Sequence, residues 1–166
     1  DTVAYSTNSK DFTGILASGN TPFNVKRLIV FDDKLYKLSF DNNYGGKLQY
    51  TSDGSTFDSV SDLPSSSYRD YRDICEANDK LYLYIGYVSS DDYGLYESSD
   101  GEAFTKVSSA GITNLTIRDI AVYDSKLYIG TGSGLYVSSD LSHFTKVTMG
   151  TNSNIINSMC IHDSKL

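Results

Sequence analysis

Four residues in this sequence share one place in an internal repeat and carry side chains able to hold an anion: Lys26, Arg72, Arg118 and Asn157. Arg27, Asp73, Asp119 and Ser158 follow them at the next position. Guanidinium groups bind carboxylate or sulfate through paired N–H donors. Cations repeated around one opening would therefore make an anion-binding mouth. The same residues allow a second expectation, in which Arg72 and Arg118 pair with Asp73 or Asp119 of neighbouring repeats and fasten them together. Tyr44, Tyr87 and Tyr93 stand in segments rich in Asn, Asp, Ser and Gly, such as 41–47 and 86–94. Flat rings beside short hydrogen-bonding groups suit sugars and polar protein surfaces alike.

No nucleophile motif, phosphate-binding loop or metal-ligand spacing accompanies these residues, so neither an enzyme nor a cofactor is expected. His143 and His162 lack metal spacing and read as surface residues. Cys75 and Cys160 share a repeat position that Ile29 and Ala121 fill elsewhere. Apolar equivalents predict free thiols in a core slot rather than a disulfide.

The elements that position these residues follow from the repeat. Tyr123 to Phe144 contains its clearest copy, with Asp124-Ser125-Lys126-Leu127-Tyr128 in front and Leu135-Tyr136-Val137-Ser138-Ser139-Asp140 behind. Asp33-Lys34-Leu35-Tyr36 and Asp79-Lys80-Leu81-Tyr82 repeat the front, and Leu95 to Phe104 repeats the back. Three whole units span 23–60, 69–107 and 116–148. Residues 1–16 read as a back half and 155–166 as a front half. Each whole unit alternates apolar and polar residues through four short segments separated by Asp, Asn, Ser and Gly. Short strands at a period of about 40–47 residues predict an all-β fold, a β-propeller of four-stranded antiparallel blades, with one blade shared between the two terminal halves. Closing a ring that way removes open sheet edges. Four blade equivalents allow a small ring, a homodimer completing a larger ring, or part of a longer array.

Composition agrees with that architecture. The chain of 166 residues has fourteen Tyr and seven Phe with no Trp, favouring strands, and enough apolar content to bury a core. A net charge of −7 argues against a nucleic-acid surface, which needs clustered cations. No apolar run reaches the length of a membrane span.

The turns Thr51-Ser52-Asp53-Gly54-Ser55-Thr56-Phe57, Ser98-Ser99-Asp100-Gly101-Glu102-Ala103-Phe104 and Ser138-Ser139-Asp140-Leu141-Ser142-His143-Phe144 resemble the Asp-box (BNR-type) repeat of propellers such as sialidases and sortilin-like receptors. They depart from it by one fewer residue between Asp and the aromatic, by Phe for Trp, and by Leu141 where the others carry Gly. The resemblance implies that Asp53, Asp100 and Asp140 are structural caps, that ligands lie over the channel mouth, and that the protein is extracellular or on the cell surface. It does not carry over the Arg triad, activated Tyr and acidic partner of a sialidase. The expected role is a non-catalytic module that recognises a glycan or protein ligand. The alternatives are a structural unit that oligomerises by blade completion and a sialidase-like glycoside hydrolase fragment.

Overall fold

Dipeptides able to adopt the left-handed region set the hairpins of this chain. Asp32-Asp33, Asn78-Asp79 and Asp124-Ser125 all have positive φ, between 47° and 58°. Two such residues in succession make the tight turn whose twist matches antiparallel strands. The computed structural model describes residues 2–5, 13–16, 24–41, 45–63, 70–86, 94–107, 112, 116–141, 143–150 and 155–161.

The described strands form four antiparallel sheets. A two-stranded sheet pairs β1 (Thr2–Tyr5) with β2 (Thr13–Leu16). The first blade contains β3 (Asn24–Phe31), β4 (Lys34–Asp41), β5 (Gly45–Thr51) and the two-residue β6 (Asp58–Ser59). The second contains β7 (Tyr71–Ala77), β8 (Lys80–Ile85), β9 (Gly94–Ser98) and β10 (Thr105–Lys106). The third contains β11 (Ile117–Tyr123), β12 (Lys126–Thr131), β13 (Gly134–Ser138) and β14 (Thr145–Lys146). The all-β propeller architecture expected from the repeat is therefore present, with four-stranded meandering blades.

The core lies between the blades. Tyr36, Leu38 and Leu48 of the first pack with Tyr71, Ile74 and Leu83 of the second. Tyr82, Tyr84 and Leu95 on the other side of the second blade pack with Ile117, Ile120 and Ile129 of the third. Each fully buried Leu or Ile contributes about 1.5–3 kcal/mol. One position departs from this pattern: Lys37 stands in the repeat where Leu83 and Ile129 stand, and is buried. Its ammonium lies 4.4 Å from the centre of the Phe57 ring. Burial lowers its pKa, helped by Lys47.

The turns between third and fourth strands are capped by carboxylates. Asp53 Oδ1 accepts from the backbone N–H of Ser55 and Thr56 and from the Thr51 hydroxyl. Asp100 Oδ1 does the same for Glu102, Ala103 and Ser98. In the third blade Asp140 Oδ1 accepts from Ser138 and the His143 amide. These bonds hold Asp53 and Asp100 below the ordinary carboxylate range. At the residue after Asp, Gly54 and Gly101 have φ near +72°, and Leu141 adopts +61° despite its side chain. A Cβ on Gly101 would stand 1.8 Å from the Tyr36 hydroxyl of the first blade, so this turn also receives its neighbour.

Both cysteines are free. Cys75 is half-buried, and burial pushes its thiol pKa up. The core slot expected for Cys160 is not found: that residue is exposed.

Candidate functional site at the mouth of the inner strands

In all three blades the first strand is the inner one: β7 packs against both β3 and β11. Each of these strands carries an irregularity near its start. The pairing register shifts between Val25 and Arg27, between Tyr71 and Asp73, and between Ile117 and Asp119. Lys26, Arg72 and Arg118 are the extra residues of three equivalent β-bulges. A bulge takes one residue out of the ladder and re-aims its side chain. All three cations are exposed, whereas Asp73 and Asp119 one position later are buried.

A second layer fastens the blades, its carboxylates buried and its Arg27 side chain 42% exposed. The Arg27 guanidinium donates to both oxygens of Asp73 at 2.8 Å and to Asp119 Oδ1 at 3.0 Å. One side chain of the first blade thereby touches the inner strands of the other two. Asp73 also accepts from the amides of Ile74 (2.9 Å) and Ile120 (3.0 Å), the latter in the third blade. Asp119 repeats that second bond one step on, accepting from the Met159 amide at 2.5 Å. The Ile156 amide donates to the Thr131 carbonyl at 3.0 Å, so residues 155–161 lie beside the third blade as Ile117 to Val122 lie beside the second. Asp73 and Asp119 side chains are only 4% and 9% exposed. Burial raises the Asp73 pKa to about 6, reinforced by the hydrogen bond with Asp119 and opposed by Arg27.

The exposed layer lies at the starts of the same strands. Lys26 Nζ sits 5.1 Å from the centre of the Phe40 ring. Its pKa is lowered by burial and by Arg72, against the pull of Asp70 and Asp73. Arg72 donates through Nε to Asp70 Oδ2 at 2.6 Å, and its Nη2 approaches the same oxygen at 2.5 Å. Arg118 has a different neighbour, its Nη1 donating to the Asn157 carbonyl oxygen at 3.0 Å. Arg118 also lies beside Gly132, whose added Cβ would come 3.8 Å from Nε. At the opposite end of the blades, a cleft of about 620 Å³ is lined by Asp32, Asp33, Glu76 and Asp79. The inner strands thus carry cations at one end and carboxylates at the other.

Residues 13–152 match the family described as the DUF6242 beta propeller domain. The chain belongs to that family. No curated protein matches it. Among solved structures, this DUF6242 propeller is similar to the GH32 beta-fructofuranosidase BmSUC1 of Bombyx mori. A mutant of that enzyme in complex with sucrose aligns with 19% identity and TM-score 0.51, and the enzyme without that mutation with 20% and 0.50. Each alignment covers 87% of this chain and 41% of the enzyme, so the chain spans less than half the length of the protein it resembles. At that identity the likeness is one of fold.

In the DUF6242 propeller the sequence-predicted residues divide. Lys26, Arg72 and Arg118 stand at the bulges that start the inner strands, and Arg118 is bonded to Asn157. Tyr44, Tyr87 and Tyr93 fall outside the described residues. The expected pairing of Arg72 and Arg118 with Asp73 or Asp119 is corrected: Arg27 makes those contacts, and the bulge turns the preceding residue away. Asp70, the partner of Arg72, was not anticipated; a carboxylate two residues before an arginine at a strand start was the available signal. Among the described residues no group of three His, Cys, Asp or Glu could hold a metal ion, and no helix is long and apolar enough to cross a membrane.

Proposed function

We propose that the chain is a non-catalytic β-propeller binding module that recognises a glycan or protein ligand at the mouth of its inner strands. One observation carries this reading. Three cations sit on equivalent bulges, exposed, while the fastening of the blades is done by Arg27, Asp73 and Asp119 one position away. The cations stand outside the Arg27 junction and are exposed, as contact with an incoming ligand requires. A glycan array, with the double variant Arg72→Gln and Arg118→Gln alongside, tests the reading. Binding that the variant loses without a change in melting supports it; no binding to acidic or neutral glycans, together with a large fall in melting, contradicts it.

We read the hairpins at Asp53, Asp100 and Asp140 as Asp-box-like, on the support of their shared capping bonds. Two other functional readings have an observation each. Glycoside hydrolysis draws on the fold shared with the fructofuranosidase and on the paired carboxylates of Asp73 and Asp119. Those oxygens already serve Arg27 and backbone amides, however, which leaves them poorly placed to act on a sugar. Incubation with sucrose is expected to release no monosaccharide. Assembly by blade completion draws on Val25 and Leu28, exposed at 38% and 45% where Tyr71 and Ile74 are covered in the second blade. Sedimentation at increasing concentration checks it, a dimer favouring assembly.

A further inference from the structure

The mouth cations are alike in sequence position but not in electrostatic state. Arg72 lies against Asp70, two of its nitrogens on one carboxylate oxygen. The residue equivalent to Asp70 in the third blade is Thr116. Arg118 therefore has no carboxylate at that place, and among the described residues it makes no ion pair. Its hydrogen bond goes to the amide oxygen of Asn157, a neutral acceptor. That bond uses Nη1 and leaves Nε and Nη2 to other partners, while Asn157, having accepted through its oxygen, can still donate through its amide nitrogen. The side chain lies beside Gly132, where the absence of a Cβ leaves the guanidinium open on that side.

From this contrast we infer that Arg118 and Asn157 form an anchor for a single anionic group, a carboxylate or a sulfate, on a saccharide. The inference rests on the binding-module reading and names the chemistry of that module's ligand. The Arg118 fork supplies two donors in one plane, matching the two oxygens of a carboxylate or two of a sulfate, and the Asn157 amide adds a third. Arg72 is a weaker anchor, because an incoming anion must compete with Asp70. The charge around the anchor sets the ligand's character. With a net charge of −7 on the chain, a densely charged polymer or acidic peptide is repelled over most of its length. A mostly neutral polyhydroxylated molecule bearing one acid group meets the cation without that penalty.

The test uses isothermal titration of the full chain with three probes: a galacturonate trisaccharide, a sulfated galactose disaccharide and a neutral galactose trisaccharide. Binding of either acidic probe at least about tenfold tighter than the neutral one is expected. Arg118→Gln should erase that preference and Arg118→Lys should restore only part of it, since an ammonium lacks the fork. Arg72→Gln should cost less than Arg118→Gln. Melting of each variant, followed alongside, should match the parent, so that lost binding is not lost folding. The inference is overturned if Arg118→Gln binds the acidic probes as the parent does, or if Arg72→Gln has the larger effect. Equal binding of acidic and neutral probes overturns the anion anchor but leaves the binding-module reading standing. Failure of all three probes overturns the anchor and counts against a saccharide ligand for the module.

Discussion

Lys26, Arg72 and Arg118 precede Arg27, Asp73 and Asp119 by one position, yet the two sets do different work. The later set is a junction where one guanidinium binds two buried carboxylates, which in turn hold backbone amides of the next repeat. The earlier set lies in solvent, its contacts being a ring face, a nearby carboxylate and an amide. The separation is made by the bulge, which sends neighbouring side chains to different surroundings within one strand. A propeller can in this way vary its mouth without loosening its blades.

The largest effect expected from breaking this division is at Asp73. Asp73→Ala removes the acceptor of the buried Ile74 and Ile120 amides and leaves Arg27 with Asp119 alone, and should cost about 3–5 kcal/mol in urea unfolding. A cost below about 1 kcal/mol would mean that the junction is not what joins the blades.

A smaller effect is expected from pH. The folded Asp73 pKa is raised from 3.8 to about 6. Protonation is therefore favoured by folding, and the stability this group contributes is fully present below about pH 4 and is lost as pH rises through about 6. Asp73→Asn should flatten the stability profile across that window relative to the parent, by about 3 kcal/mol. Parallel profiles would contradict the raised Asp73 pKa.

At the mouth the effects should be smallest. Arg72→Gln gives up an ion pair in which the arginine side chain is 48% exposed, and should change stability by less than about 1 kcal/mol. Lowering the salt concentration should enlarge that difference, because exposed pairs are screened. A large, salt-independent loss would move Arg72 into the fastening layer.

Much of the fold was legible in the sequence because it rests on local rules. Asp124-Ser125 marks a tight turn, Lys126-Leu127-Tyr128-Ile129 reads as a strand, and their recurrence fixes the blade. The site was legible only as a set of positions. Alternation does not reveal a bulge, since it adds one residue without changing the composition around it, so the roles of Arg27 and its neighbour Lys26 were not separable in advance. Lys37 hid for another reason: a buried lysine over Phe57 replaces an apolar residue through a contact between strands distant in sequence. Cys160 was assigned to the core from its repeat position alone, and it is exposed.

The division between fastening and mouth is tested most directly by urea unfolding of two proteins beside the parent, Arg27→Gln and the double variant Arg72→Gln with Arg118→Gln. The single exchange is expected to cost about 2 kcal/mol, because Asp73 and Asp119 lose their shared cation, while the double exchange costs less than about 1 kcal/mol. A double variant that unfolds more readily than the single one would contradict it, placing the blade junction at the mouth and leaving no cations there for a ligand.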